Sequence, residues 1–317
     1  MGVLSVNGTQ LELDDRPFYY QGLSFFNALY NPVFNQDNEQ RRRWLSYFKS
    51  WGITAVRVWG DWRVRNGWVD EGPEHSLWLY PGRQGRNVLY EPEGEVASEP
   101  LTRLKRLLTV ADELGMVVEL ALFTHYLVYP QRTRDDYVAQ VTRELRPWRN
   151  CIFQVWNEYD DHTLRHLQAI KREDPNRLVT NSPGPAGVLG DADHNQALDL
   201  LTPHTSRHNV PFWEVAPQQI ATLIETYGKP VIDDEPARTG IRDFGGRPDS
   251  QVEQHLQHID RVRACGGYHN YHHDMFQNGY GHPATPALGI PDAEFSAFHK
   301  PIFEHLRKLT PKEVLDA

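Results

Sequence analysis

Short apolar, β-rich runs alternate along the chain with longer segments of helical period, the pattern of repeated βα units around a parallel sheet. Eight such runs are present: Phe18 to Phe26, Ile53 to Gly60, Val117 to His125, Ile152 to Glu158, Leu178 to Ser182, Leu200 to His204, Pro230 to Glu235 and Gly267 to His273. The clearest intervening helix runs from Glu99, where Leu101, Leu104, Leu108 and Ala111 with neighbouring Leu107 and Leu114 make one apolar stripe. Gly115 stops it, as Gly52, Gly228 and Gly266 stop others just before the next apolar run. Between the fifth and sixth runs, Gly184 to Asp199 leaves room for only a short helix. Eight units of this kind predict a (β/α)8 TIM barrel, whose usual size of about 250 residues leaves the rest for a lead-in and insertions. The lead-in from Leu4 to Phe18 reads as a β-hairpin turning at Asn7-Gly8 and plugging the barrel floor.

A long stretch after the second strand, about Asp61 to Ser98, has no period and carries Trp62, Trp68, Trp78, Tyr80 and Tyr90. Loops beyond about 12 to 15 residues are uncommon unless functional or disordered, and the aromatics argue against disorder. In a barrel this loop lies at the C-terminal face, where active sites are built.

Composition narrows the picture. With 39% apolar and 24% charged positions among 317 residues, the chain reads as one globular domain, residues 1–317. A formal charge of −9 disfavours nucleic acid and anionic membrane surfaces as partners. Cys151 and Cys265 make no disulfide framework and no finger spacing, and are expected reduced in the core. Neither a secretory h-region nor a membrane-spanning apolar run is visible, so a cytoplasmic chain is expected, or a secreted one if a leader has been trimmed.

Two of the eight runs end in glutamate: Phe153 to Glu158 closes the fourth, and Pro230 to Glu235 the seventh. Barrel geometry brings both to one mouth, and two facing carboxyls are what glycoside hydrolysis requires. One is protonated to assist the leaving oxygen; the other is ionised to attack or stabilise an oxocarbenium-like centre. Alternation places Asp233 on the face of Glu235 and Asp234 on the other. Asp160 and Asp161 are expected to cap the helix beginning near His162.

These residues resemble the clan A glycoside hydrolases, (β/α)8 retaining β-glycosidases, and most closely the family 5 cellulase and β-mannanase group. The lead-in VNGTQLELDDRPFYYQGLSFF, WGITAVRVWG, the Asn157-Glu158 pair, GKPVIDDE and a GGY-type eighth strand carry the resemblance, from about Val6 to Phe276. It implies that Glu158 is the general acid/base and Glu235 the nucleophile, with no cofactor and a carbohydrate substrate. Asn157 matches the asparagine that binds the sugar 2-hydroxyl, and Arg57 the second-strand arginine beside the nucleophile. His125 and His204 match substrate-facing histidines, and Trp59, Trp62 and Tyr271 are further expected substrate contacts, Tyr271 standing nearest to the family's eighth-strand tryptophan. The sequence departs from the family pattern at His204-Thr205-Ser206, where His-x-Tyr is usual, and at Tyr159, where proline usually follows the glutamate.

Two rival readings remain. Eleven of the fifteen histidines lie from His194 onward, and His125, His204 and His208 with Asp274 or Glu235 offer ligands for a divalent ion in a barrel hydrolase or isomerase. Against it, Leu23, Ser24 and Phe25 stand where such hydrolases commonly carry HxH. A carbohydrate-binding barrel without catalysis is the other. No GxGxxG with a following acid, P-loop or GxSxG elbow is present.

Overall fold

A computed structural model of the chain describes residues 2–63, 86–89, 95–124, 131–238, 249–272 and 286–316. An antiparallel lead-in of β1 (Leu4–Asn7), β2 (Gln10–Leu13) and β3 (Arg16–Pro17) comes first. It is followed by β4 (Gln21–Ser24), α1 (Asn38–Ser50), β5 (Ala55–Trp59), β6 (Asp61–Arg63), β7 (Arg86–Val88), α2 (Ser98–Glu113) and β8 (Val117–Thr124). Then come α3 (Gln131–Leu145), β9 (Cys151–Asn157), α4 (Thr163–Glu173), β10 (Leu178–Thr180), α5 (Ala192–Ala197) and α6 (Phe212–Tyr227). The chain closes with β11 (Ile232–Asp233), α7 (Val252–Ala264), β12 (Tyr268–Tyr271), α8 (His299–Leu309) and α9 (Lys312–Asp316).

Seven strands form one parallel sheet in the order β10-β9-β8-β5-β4-β12-β11, so the first strand of the sheet in sequence, β4, pairs with both β5 and β12. The sheet therefore curls, with helices outside, as an α/β barrel does. Leu201 bridges Val231 in parallel, Asp199 N–H donates to the Val179 carbonyl at 3.1 Å, and the Thr180 hydroxyl donates to the Leu200 carbonyl at 2.8 Å. The Leu200 to His204 segment thus lies between β10 and β11, with one bridge in place of a full ladder.

Why these residues make these elements follows from their patterning. The stripe expected in α2 is buried at Leu101, Leu104, Leu107, Leu108 and Ala111 against the sheet. Gly52, Gly115, Gly228 and Gly266 all take positive φ, the conformation that ends a helix without a Cβ clash. α5 has six residues, as its short allowance implies. In the lead-in, Asn7 pairs with Gln10, which puts the turn at Gly8-Thr9, one residue later than expected, with Gly8 at φ 59°. Leu4 and Leu11 pack in one cluster with Tyr20, Ala55, Val117, Ile152, Leu200 and Ile232, at the beginnings of the strands.

That cluster is the lowest interior layer. Two residues further along each strand, where alternation returns side chains to the same face, the interior is polar: Arg57, Glu119, Gln154, Thr202 and Asp234, all buried, with Thr180 beside them. Above it lies the mouth. The stretch after β5 contains an antiparallel ribbon, β6 with β7, in which Trp62 pairs with Asn87; Trp68, Trp78, Tyr80 and Tyr90 lie outside the described residues. Both cysteines are free; burial pushes the Cys151 thiol up to about 12. Among the described residues no helix is long and apolar enough to cross a membrane.

Candidate active site

Arg57, central in β5, organises the polar layer. Its Nε lies 2.8 Å from Asp234 Oδ2, Nη1 donates to Glu235 Oε1 at 2.8 Å, and Nη2 donates to Gln154 Oε1 and Asn157 Oδ1, each at 2.6 Å. The guanidinium rests 4.3 Å from the Trp59 ring centroid, and Trp59 stacks in turn on Phe26 at 4.1 Å. Gln154 Nε2 donates to Asp234 Oδ2 at 2.7 Å, and the Tyr20 hydroxyl donates to Glu119 Oε2 at 3.0 Å. Burial drives the Asp234 carboxyl well above its ordinary range, with Glu119 adding to the shift and Arg57 opposing it. Glu119 is raised by burial too, against Arg57 and Tyr20. One arginine thus faces three buried carboxyls, Glu119, Asp234 and Glu235.

Glu158 follows β9 directly and has φ 60°, a left-handed conformation that side chains rarely adopt. Its side chain is 20% exposed, whereas that of Glu235 is 5% exposed. His204 stands between them: its Nδ1 is 3.3 Å from Glu158 Oε1 and 3.4 Å from Glu235 Oε2. One oxygen of each glutamate and this nitrogen all lie within 4.8 Å of one another. Burial works against a charge on Glu235, but His204, His272 and Arg57 outweigh it and hold the carboxyl well below the ordinary glutamate range. His272 Nε2 is 3.6 Å from Glu235 Oε2 while its Nδ1 meets the Ser24 hydroxyl at 2.9 Å. Burial depresses the His272 ring well below its usual value, with Glu235 opposing the shift.

Of the residues singled out from the sequence, Arg57, Asn157, Glu158, His204 and Glu235 come together here. Trp59 is fully buried as the shelf under Arg57. Only the backbone of Trp62 is described, and His125 lies outside the described residues, as do His273 and Asp274.

Three expectations are corrected. Tyr271 faces the helices: its hydroxyl meets His299 Nδ1 at 2.9 Å and its ring packs on Phe303 at 5.0 Å. The next residue, His272, is the one beside the nucleophile candidate, because alternation in β12 sends neighbours to opposite faces. Asp233, not Asp234, is the helix-facing acid, with its Oδ2 2.6 Å from His258 Nε2 and its Oδ1 accepting from the Thr205 hydroxyl at 2.9 Å. Regular pairing in β11 stops at Asp233, so Asp234 and Glu235 both reach Arg57. Asp160 and Asp161 do not cap α4 with their side chains: His162 at φ 55° occupies the cap, and Asp161 pairs with Arg134 at 2.7 Å.

The sequence reading missed Arg207. It is buried, its Nη1 donates to the Glu235 carbonyl, and its Nη2 lies 3.7 Å from Glu235 Oε2 and 3.9 Å from Glu158 Oε1. Its one legible signal was its place three residues after the strand-end His204. For a metal, Glu158, His204 and Glu235 supply three ligand atoms at suitable spacing, but Arg57 and Arg207 bring two guanidinium groups to the same carboxylates.

No protein-family model matches the sequence, and no curated protein matches it. Solved structures do. A glycoside hydrolase family 5 protein from Bacteroides vulgatus ATCC 8482 is similar at TM-score 0.62 and 15% identity, over 94% of this chain and 67% of that one. A glutamate-to-alanine variant of a family 5 mannosidase from Rhizomucor miehei gives TM-score 0.63 at 13% identity, over 100% and 99%. An endocellulase from Pyrococcus horikoshii, solved in a complex with cellotetraose, gives 0.60 at 15%, over 98% and 99%. The chain spans 61% of a longer Bacteroides vulgatus chain with TM-score 0.68 and 17% identity. In fold, then, the chain is similar to the family 5 glycoside hydrolases.

Proposed function

We propose that this chain is an O-glycosyl hydrolase built on an eight-unit (β/α)8 barrel, which cleaves β-linked glycosides or oligosaccharides of mannan or glucan type with retention of configuration. The observation that carries the reading is the placement of Glu158 and Glu235 at the ends of two parallel strands, with carboxylate oxygens within 4.8 Å of each other. Retaining glycosidases hold their carboxyls about 5 to 5.5 Å apart, and inverting ones about 6.5 to 9.5 Å apart to admit a water.

The chemistry divides between the two environments. Glu235, held ionised by Arg57, attacks the anomeric carbon while Glu158 gives its proton to the departing oxygen; the C–O bond breaks and a glycosyl ester forms. Glu158, now a carboxylate, takes a proton from water, whose oxygen attacks the same carbon and releases Glu235. Asn157, fixed through its Oδ1 by Arg57, has its amide N–H groups left to donate to the sugar 2-hydroxyl. His204, between the carboxylates, orients both.

A panel of p-nitrophenyl β-glycosides with manno-, gluco- and xylo-oligosaccharides, the product anomer followed by NMR, tests the reading. Retention is expected, with Glu235→Ala nearly inactive and partly rescued by azide to a product of inverted configuration. Undiminished activity in that variant would remove Glu235 from the mechanism, and binding without turnover in the parent would favour a carbohydrate-binding barrel. The three-ligand cluster supports a metal-dependent hydrolase as a second reading; a stoichiometric ion whose chelation abolishes turnover would select it.

A further inference from the structure

Glu158 and Glu235 exchange charge during double displacement, and this poses an electrostatic requirement on whatever lies between them. Before the first step Glu235 is the anion and Glu158 carries the proton. In the covalent intermediate Glu235 is a neutral ester and Glu158 is the anion. A counter-ion close to only one of them would stabilise one half of the cycle and oppose the other.

Arg207 is close to both. Its Nη2 is 3.7 Å from Glu235 Oε2 and 3.9 Å from Glu158 Oε1, while its Nη1 is anchored on the Glu235 carbonyl. The anchor matters because it holds the guanidinium in place through a backbone atom that keeps its position whether or not the side-chain carboxylate is charged. Around it, the other candidates on the same loop are engaged elsewhere: the Thr205 hydroxyl donates to Asp233 Oδ1, and the Ser206 hydroxyl accepts from Gln219 Nε2. Among the described residues, the charged and titratable groups facing Glu158 include His204 at 3.3 Å, Arg207 at 3.9 Å and Glu235; those interacting with Arg207 include Arg238, Glu235, Glu158, Asp233 and His272.

We propose that Arg207 is a positioning residue shared by the two glutamates, a fixed cation that balances Glu235 before the first step and Glu158 after it without any side-chain movement. The assignment rests on the double-displacement reading given above. Arg207 acts through the glutamates, so its effect is read through their ionisation.

The test uses Arg207→Gln, which keeps a donor for the Glu235 carbonyl and removes the charge, and Arg207→Lys, which keeps the charge. Both are assayed across pH on the aryl β-glycoside that the parent cleaves best. The alkaline limb of kcat/KM reports the acid of the free enzyme, Glu158. A unit charge 3.9 Å away is worth about 0.8 pH unit even in bulk water, and more in a buried site. Arg207→Gln is therefore expected to move the limb upward by at least about 0.8 unit, while Arg207→Lys leaves it in place. An unmoved limb in folded Arg207→Gln overturns the proposal; a merely structural role lowers activity without moving it.

A second measurement needs no variant. The parent is trapped with a 2-deoxy-2-fluoro glycosyl fluoride and its reactivation followed against pH. Reactivation needs ionised Glu158 and is expected to stay constant down to below the ordinary glutamate value of about 4.3. A fall-off at or above that value overturns the assignment even if Arg207→Gln does not fold. If the parent cleaves no glycoside at all, the double-displacement reading falls and this one with it; if it does and the limb stays put, only the role of Arg207 is lost.

Discussion

Replacing Arg57 with methionine isolates the polar layer inside the sheet. The side chain is fully buried, donates to Glu235, Asn157 and Gln154 at 2.6 to 2.8 Å, and pairs through Nε with Asp234 at 2.8 Å. Methionine keeps the unbranched stem as far as the ε position and leaves Glu119, Asp234 and Glu235 without their common cation. Removing one partner of a buried ion pair typically costs about 3 to 5 kcal/mol. For a chain of 317 residues, at about 2.1 cal/mol/K of unfolding entropy per residue, that is a fall in Tm of roughly 5 to 8 °C. The pH dependence carries the sharper signature. In the parent Glu235 is depressed, so its contribution to stability is present at neutral pH and lost as pH falls. In the variant the three carboxyls lose the cation that opposes burial, Glu235 keeping His204, His272 and Arg207 near it, so the folded state binds more protons than the parent's and is relatively favoured by acid. The deficit against the parent should be greatest near neutrality and shrink toward about pH 4.5. Urea melts of both proteins at a series of pH values measure it. A loss below about 1 kcal/mol, or one that does not vary with pH, would refute the claim that Arg57 balances the layer.

Tyr271→Phe deletes a hydroxyl that meets His299 and is expected to cost about 1 kcal/mol while leaving kcat and KM unchanged; a drop in kcat would return Tyr271 to the substrate site. Burial depresses His166 to about 4 and His299 to about 3. Such rings stay neutral in the folded chain while the unfolded chain protonates, so Tm should decline as pH falls below about 6.5, and His299→Gln should flatten part of that decline. A slope untouched by that substitution would show that other groups govern it. Cys151, buried with a thiol at about 12, should resist a thiol-directed reagent at pH 8 until urea is added, and rapid native labelling would contradict its placement.

What the sequence made legible was what periodicity and punctuation encode. The α2 stripe, the glycine stops, and Glu158 and Glu235 at the ends of their runs could all be located by counting. Orientation in the last two strands could not. β11 and β12 are covered on both faces, so Asp233 and Asp234, or Tyr271 and His272, stand in equally buried surroundings and no apolar/polar contrast tells which side faces inward. The polar layer was hidden for a related reason. Its members come from five segments: Glu119, Gln154 and Thr202 each read alone as an isolated polar residue in an apolar run, and alternation counted back from Glu235 puts Asp234 on the wrong face. Arg207 sits on an aperiodic loop, where only the three-dimensional meeting with two strand ends distinguishes it from any surface arginine.

The left-handed residue at Glu158 has a consequence for how densely this opening can be furnished. A strand that kept its zigzag would offer every second side chain and turn the next one outward. Where the regular ladders of β9 and β11 have ended, the chain supplies adjacent residues, Asn157 with Glu158 and Asp234 with Glu235, to one interior. Carrying the β11 zigzag on through Glu235 would swing its carboxyl out among the helices, so the early end of that ladder belongs to the site as much as the acids themselves do.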